Sequence, residues 1–278
     1  MEQYLGSLVL FSLPIGNQGD ITIRTREALS QNGIFLAEDT RVLKDFLRTI
    51  GERIEGKKFI SFHEHNDQER IAYVLKLLSE NDVVYLTSDA GSPIISDPAY
   101  PIIKAALDRN FEVLNLPGVS SVISAIELAG LPPYPFFFYG FLPKEKNKRN
   151  EVFKNLPNGL SIFFESPHRI LDTLGLIEQT IPDARVSVCR EMSKKFESIY
   201  RFEIKELKKL QDNIILKGEF VLCVYRTKTE EAGAYNDQKL KELVEKYLSQ
   251  SGSKKDLARI FAKITGGDVK TIYDKLAH

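Results

Sequence analysis

Three loops crowded with small, rigid and acidic residues carry the first chemical signal in this sequence. They are Pro14-Ile15-Gly16-Asn17-Gln18-Gly19-Asp20, then Ser88-Asp89-Ala90-Gly91-Ser92-Pro93 followed by Ser96-Asp97-Pro98, and Pro117-Gly118-Val119-Ser120-Ser121. Glycine and serine let a backbone approach a ligand closely, and proline holds that approach rigid. A single loop of this kind reads as a turn. Three of them, each after an apolar run, describe the rim of a binding cleft. Glu38-Asp39-Thr40-Arg41 sets adjacent carboxylates beside a guanidinium, a set suited to proton transfer or to orienting a substrate. Asp39 or Thr40 would equally serve as the cap of a helix over 41–50. Phe164-Glu165-Ser166-Pro167-His168-Arg169 and Cys189-Arg190-Glu191-Met192-Ser193-Lys194-Lys195 put further charges at strand ends, where structural ion pairs are the commoner outcome.

The common enzyme signatures are missing. No G-x-G-x-x-G follows the first apolar run, and there is no Walker-type G-x-x-x-x-G-K-[ST], which disfavours an ordinary dinucleotide site and triphosphate hydrolysis. H-E-x-x-H, C-x-x-C and G-x-S-x-G are absent too. His63-Glu64-His65 is the single close histidine pair, and hydrogen-bonding or surface histidines explain it better than a metal does. No metal site is expected.

The elements that must hold these residues follow from periodicity. Apolar runs at 7–13, 34–37, 59–62, 83–87 and 112–116 alternate with amphipathic stretches such as 68–78, where Ile71, Val74, Leu75 and Leu78 recur at helical spacing. That alternation predicts an α/β layer with a mostly parallel sheet, whose ligands sit outside the carboxyl ends of the strands. After Pro117-Gly118 a second series begins, at 135–141, 160–164, 186–189, 198–202 and 220–225. The short connections around 197–203 and 218–226 predict antiparallel or mixed pairing there. The expected organisation is an α/β domain over 1–118, a mixed-sheet α/β domain over 119–227 and a helical tail over 237–278. In the tail, 239–248 is amphipathic, Ser253-Lys254-Lys255-Asp256 resembles a capped helix start, and Thr265-Gly266-Gly267-Asp268 reads as a turn. Such a pair of helices is either a helix-turn-helix or a small structural cap.

Composition bounds the rest. The 278 residues carry 38 Lys+Arg and 38 Asp+Glu, with 43% hydrophobic and 27% charged residues, as globular chains do. No apolar run approaches the ~20 residues of a membrane span, and Met1-Glu2-Gln3-Tyr4 has no basic n-region. Two cysteines, Cys189 and Cys223, sit in β-branched runs and read as small buried hydrophobes. These features predict a soluble, cytoplasmic protein. The zero net charge hides two basic regions: the tail from Asp237, with nine Lys/Arg against six Asp/Glu, and the cluster Lys144, Lys146, Lys148 and Arg149 around Glu145. They permit a nucleic-acid partner, although most such clusters are solvated surface.

Taken in order, Leu13-Pro14-Ile15-Gly16-Asn17, Ala37-Glu38-Asp39-Thr40-Arg41, Ser88–Pro93, Gly140-Phe141-Leu142-Pro143, Phe164–Arg169, Arg190-Glu191 with Lys194-Lys195-Phe196-Glu197, and Lys217-Gly218-Glu219-Phe220 resemble one family. The chain is similar to the bacterial small-subunit (16S) ribosomal RNA 2′-O-ribose methyltransferase I family of the tetrapyrrole-methylase superfamily. The resemblance covers about 7–224, and the tail resembles that family's helix-turn-helix extension. It implies two α/β domains with S-adenosylmethionine in the cleft between them, a homodimer, and methylation of a decoding-centre cytidine ribose in 16S rRNA or the small subunit. Carried onto matching positions, Pro14, Asp89, Ala90, Gly91, Ser92, Pro93, Ser120 and Ser121 would line the cofactor from the first domain, and Phe164, Glu191 and Gly218 from the second. Ile94, Ala99 and Val119 depart from the family's usual residues and are expected to bulk the cleft rim.

A ribose hydroxyl attacks well only as its proton leaves, so a base or a cation should lie near it. Glu165, Glu191, Lys194 and Asp39 are the expected groups. Lys144, Lys146, Lys148, Arg149 and the tail would contact phosphates, and Arg41, His63 and Arg169 would hold a splayed nucleotide. Two alternatives stay open: the same cofactor with a tetrapyrrole or other small-molecule acceptor, and a non-catalytic RNA-binding assembly factor that keeps the fold.

Overall fold

The structure is a computed structural model that describes residues 6–62, 67–95, 99–227, 253–265 and 268–277. The chain divides into two units, Met1–Thr227 and Lys228–His278.

The first unit contains two five-stranded sheets. In the first, β1 (Ser7–Phe11), β2 (Gly33–Ala37), β3 (Lys57–Ser61), β4 (Val83–Thr87) and β5 (Glu112–Leu116) are all parallel, in the order β3-β2-β4-β1-β5. Strands buried on both faces read as continuous apolar runs, as β1 and β2 do. Their alternate residues still divide between two cores. Leu8, Leu10, Leu36 and Leu86 pack against α3 (Asp67–Glu80) and α4 (Tyr100–Asp108), whereas Phe11, Phe35 and Ala37 pack against α1 (Ile23–Ser30) and α2 (Thr40–Thr49). Every strand of this sheet therefore ends on one edge, where the loops read from the sequence gather.

The second sheet is mixed. β6 (Phe136–Phe141), β7 (Gly159–Glu165), β8 (Arg185–Arg190), β9 (Ser198–Glu203) and β10 (Phe220–Arg226) lie in the order β6-β7-β10-β8-β9. Only β6 and β7 are parallel; β10 runs antiparallel to β7 and β8, and β9 antiparallel to β8. The short connections at 197–203 and 218–226 thus end in antiparallel pairings, as expected. One face of this sheet packs on α6 (Lys146–Lys154) and α7 (Ile170–Thr180) through Phe153, Phe163, Leu174 and Leu222. The other face receives α5 (Ser121–Ala129). Although α5 directly follows a strand of the first sheet, its Val122, Ala125 and Ala129 pack on Leu160, Ile162, Cys189 and Val221 of the second. The segment before α5 therefore crosses from one sheet to the other. Cys189 and Cys223 are free and fully buried in that interface, as their apolar context predicts.

Ala99 is fully buried in the core of the first sheet and so does not add to a cleft rim, whereas Ile94 is exposed. No described helix is long and apolar enough to cross a membrane.

In the second unit, helices Lys254–Thr265 and Val269–Ala277 contact each other. The Ser253 hydroxyl accepts from the N–H of Lys255 at 3.1 Å and its carbonyl from the N–H of Leu257 at 3.0 Å, the capped start read from the sequence. The helix expected over 239–248 and the Gly266-Gly267 turn lie outside the described residues.

Candidate active site

The loops after β1 and β4 are tied together by a two-way backbone bridge. The N–H of Leu13 donates to the carbonyl of Gly91 at 3.1 Å, and the N–H of Gly91 to the carbonyl of Leu13 at 2.9 Å. Gly91 adopts φ +68°, which glycine alone takes without strain. The Ser88 hydroxyl braces the same turn through the carbonyls of Ala90 and Gly91, at 3.1 and 3.3 Å. Asp89 reaches sideways and accepts from the backbone N–H of Asp39 at 2.9 Å, joining the loop after β4 to the loop after β2.

Between these loops and the second sheet lies a cleft of about 480 Å³, a size typical of small-molecule sites. Ile15, Glu38, Asp89, Ala90, Gly91, Ser92, Ile95, Ser120 and Ser121 line it from the first sheet and the crossing segment. Phe141, Phe164, Ser166, Pro167, Met192, Gly218, Glu219 and Val221 face them from the second sheet. Ser120 begins α5 with no side-chain cap, so the first-turn N–H groups are left to other acceptors at the cleft.

A second set of contacts fastens the two halves beside the cleft. The N–H of Asn17 donates to the Ser193 hydroxyl at 3.3 Å, and that hydroxyl donates to Asp20. A Cβ on Gly16 would stand 2.4 Å from Cγ of Lys194, so only glycine fits there. Lys194 pairs with Glu191 at 3.0 Å and with Glu219 at 2.9 Å, and Glu191 also accepts from the N–H of Glu219 at 2.9 Å. Partial burial works to raise the Glu191 pKa, but the Glu219 N–H and the Lys194 ammonium outweigh it and hold that carboxyl below its usual range. Burial works to lower the Lys194 pKa, and Glu219 and Glu191 outweigh it, holding the ammonium above the usual lysine range. Gly218, at φ +96°, lies against Glu191, where a Cβ would stand 2.5 Å from Cδ.

The structure sorts the residues singled out from the sequence. Asp89, Ala90, Gly91, Ser92, Ser120, Ser121, Phe164 and Gly218 border one cleft, while Pro14 and the buried Pro93 frame its loops from one residue outside. Glu191 and Lys194 belong to the seam and not to the lining. Asp39 stands outside the lining too. It is the cap of α2, accepting from the N–H of Arg41 at 2.8 Å, and it pairs with the exposed Arg41 guanidinium at 2.6 Å. The capping reading left open for Asp39 is the one observed.

Glu165 borders the cleft, yet its fully buried carboxylate is spent on three donors: the N–H of Ser166 at 2.6 Å, the Thr173 hydroxyl at 2.9 Å and the Arg169 guanidinium at 2.6 Å. Arg169 also donates to the carbonyls of Leu142 and Pro143. Both residues expected to act on substrate instead hold the strand ends together. Arg149 corrects another expectation. Its side chain is 4% exposed and bound to Asp172 and the carbonyl of Lys144, so it is no surface contact for phosphate. Lys144, Lys146 and Lys148 are exposed. His63 lies outside the described residues.

Sequence reasoning passes over Ile15, Phe141, Met192 and Glu219, and of the Glu38-Asp39 carboxylate pair it carries forward Asp39 while the structure puts Glu38 in the lining. All lie inside the motifs quoted above, and each stands beside a residue whose chemistry is more conspicuous. Among the described residues Glu38 makes no hydrogen bond or ion pair, which distinguishes it from Asp39, Glu165, Glu191 and Glu219.

Residues 7–208 match the family described as Tetrapyrrole (Corrin/Porphyrin) Methylases. The chain belongs to this family. It is a methyltransferase. Among similar proteins, the Ribosomal RNA small subunit methyltransferase I of Bacillus subtilis (strain 168) is 34% identical over 97% of this chain and 94% of its own. The protein of that name from Thermotoga maritima is 41% identical over 73% of this chain and 90% of its own. Solved structures share the family fold at lower identity. Diphthine synthase covers 80% of this chain and 91% of its own, with a TM-score of 0.60 at 14% identity. The uroporphyrin-III C-methyl transferase of Thermus thermophilus, complexed with S-adenyl homocysteine, covers 80% and 97%, with a TM-score of 0.52 at 14% identity.

Proposed function

We propose that this methyltransferase moves a methyl group from S-adenosylmethionine to the ribose 2′-hydroxyl of a decoding-centre cytidine in 16S ribosomal RNA. What carries the reading is the joining of a small-residue cleft to an exposed basic run, Lys144, Lys146 and Lys148, that begins three residues after the cleft residue Phe141. The likeness to proteins named for small-subunit ribosomal RNA, over nearly the whole chain, supports it.

The cleft fits the cofactor. S-adenosylmethionine supplies an electrophilic methyl on a sulfonium and leaves as a neutral thioether. Asp89 and Glu219 provide carboxylates for its cationic parts, and the uncapped start of α5 suits its carboxylate. Phe164, Met192 and Val221 offer an apolar wall for its adenine. Holding acceptor and donor in line is worth up to ~7–11 kcal/mol of barrier. The chain's remaining task is the hydroxyl proton. Glu38 receives it, being the cleft carboxylate whose oxygens are not already engaged, while Glu191 and Lys194 fix the seam that sets the cleft's width. The working protein is a cytoplasmic homodimer, which sedimentation of the purified protein would test.

The test is to incubate the protein with methyl-labelled S-adenosylmethionine and, in parallel, unmethylated small ribosomal subunits, free 16S rRNA and a tetrapyrrole. Label is expected in one or both RNA arms. Label only in the tetrapyrrole would move the acceptor to a small molecule, and none in any arm despite measurable cofactor binding would overturn the RNA assignment.

A further inference from the structure

β6 reads Phe136-Phe137-Phe138-Tyr139-Gly140-Phe141. On a regular strand, residues three apart face opposite sides of the sheet. Phe138 and Phe141 do not. Both rings meet Phe164 edge-on, with centroids 5.0 and 5.3 Å away, while Tyr139 stacks on Phe163 at 4.9 Å across the sheet. The cause is a register shift between Phe138 and Phe141 in the pairing with β7, where Gly140 takes φ +69°. A bulge re-aims the side chain that follows it, and glycine adopts this φ without steric cost. The bulge therefore carries Phe141 away from the face of Tyr139 and into the cleft.

The result is an aromatic ring at the cleft mouth that is 65% exposed and backed by the half-buried Phe164. An apolar ring exposed to water is stabilised when a flat partner covers it. Three residues past Phe141 stands the exposed Lys144, and the first turn of α6 adds the exposed Lys146 and Lys148, whose surface pairs with Asp172 at 4.0 Å and Glu145 at 2.5 Å leave their remaining donors to solvent. An aromatic face with cations a few residues away matches an unpaired nucleotide, whose base stacks while its phosphates meet charge.

We infer that Phe141 is the platform on which the base of the methylated nucleotide stacks, with Lys144, Lys146 and Lys148 holding the adjoining phosphates. This rests on the RNA-directed reading above and adds to it the group that seats the acceptor. The base is drawn out of its helix and held against the ring, which leaves its ribose at the cleft. Because Phe141 meets the acceptor and not the donor, its loss should weaken the RNA alone.

The experiment compares the wild-type protein with Phe141→Ala, Phe141→Leu and Phe141→Trp in methyl transfer to small ribosomal subunits, and measures S-adenosylhomocysteine affinity by calorimetry. Phe141→Ala is expected to raise KM for the subunits about ten-fold, the loss of one stacked base, with S-adenosylhomocysteine affinity unchanged. Phe141→Leu should behave as Phe141→Ala does, and Phe141→Trp should restore KM. The chain has no tryptophan, so Trp at this position is the sole tryptophan, whose emission, excited apart from the tyrosines, reports stacking through its quenching by the bound RNA. A ten-fold loss of S-adenosylhomocysteine affinity in Phe141→Ala would put the ring on the donor and overturn the inference. So would wild-type KM in Phe141→Ala or Phe141→Leu. Wild-type protein that methylates no RNA overturns the functional reading itself, a result separable from the other two.

Discussion

The two walls of the cleft are built on opposite plans. The first sheet lines the cleft with loops of Gly, Ser, Ala and Asp, and among the described residues Glu38 is the lining carboxylate there that makes no bond. The second sheet offers bulk through Phe141, Phe164 and Met192, while its charged strand ends are turned to internal use. Glu165, Arg169 and Arg190 make their bonds to neighbouring strand ends and loop carbonyls, including that of Lys217 from Arg190 at 2.6 Å. Parallel strands all end on one edge, so their loops meet there and are tied mostly through the backbone, as in the Leu13–Gly91 bridge and the Asp39 N–H held by Asp89. A mixed sheet brings strand ends from both directions, and its loops need side chains to hold them. Charges brace both walls, through Asp39 and Asp89 on the first and Glu165, Arg169 and Arg190 on the second, and among the described residues Glu38 is the cleft carboxylate left without such a bond.

The largest expected effect attacks the first wall. Ser92→Trp should fill the cleft and abolish S-adenosylhomocysteine binding in calorimetry, and unchanged affinity would remove that loop from the site. Glu38→Gln should lower kcat by about 10²–10⁴-fold, the usual contribution of a positioned base, with cofactor affinity retained. Asp39→Asn should keep most of kcat, since the amide oxygen can still cap α2. On the second wall, Arg169→Ala should cost about 3 kcal/mol in denaturant unfolding, because it strands the buried Glu165 carboxylate. A small stability change together with a kcat collapse would return Arg169 to the substrate.

Smaller still, replacing Lys144, Lys146 and Lys148 with Ala should flatten the salt dependence of RNA binding by about 0.7–0.9 in log slope for each phosphate no longer neutralised. Deleting 237–278 should weaken RNA binding and spare S-adenosylhomocysteine binding, and equal RNA affinity would make the tail a structural cap. The seam should show no pH effect between about 5 and 9. Glu191, held below its usual range, contributes stability that is lost only as acid carries pH below that range. Lys194, held above its range, loses its contribution only in strong base. A stability difference between the wild-type protein and Lys194→Met that titrates between those limits would contradict this.

How far the sequence can be read follows the same division. The strand–helix alternation, the change of pairing after 118 and the convergence of the Asp89 and Ser120 loops are legible, because they depend on local periodicity and on where parallel strands end. The roles of Glu165, Arg149 and Arg169 are not. A carboxylate or guanidinium reads the same in sequence whether it faces solvent or a buried partner such as Asp172, which is 23 residues from Arg149. Glu38 and Asp39 are neighbours with opposite fates, decided by which of them caps α2. Phe141 is hidden by periodicity itself, since the bulge at Gly140 reverses the face that alternation assigns to it.

The most direct measurement of the central claim is nucleoside analysis of the product. Small ribosomal subunits incubated with the protein and S-adenosylmethionine would be digested completely and their nucleosides resolved by mass spectrometry. The expected product is 2′-O-methylcytidine, with the methylated internucleotide bond resistant to alkali at a single site. A base-methylated nucleoside, or 2′-O-methyl label on a nucleoside other than cytidine, would contradict it.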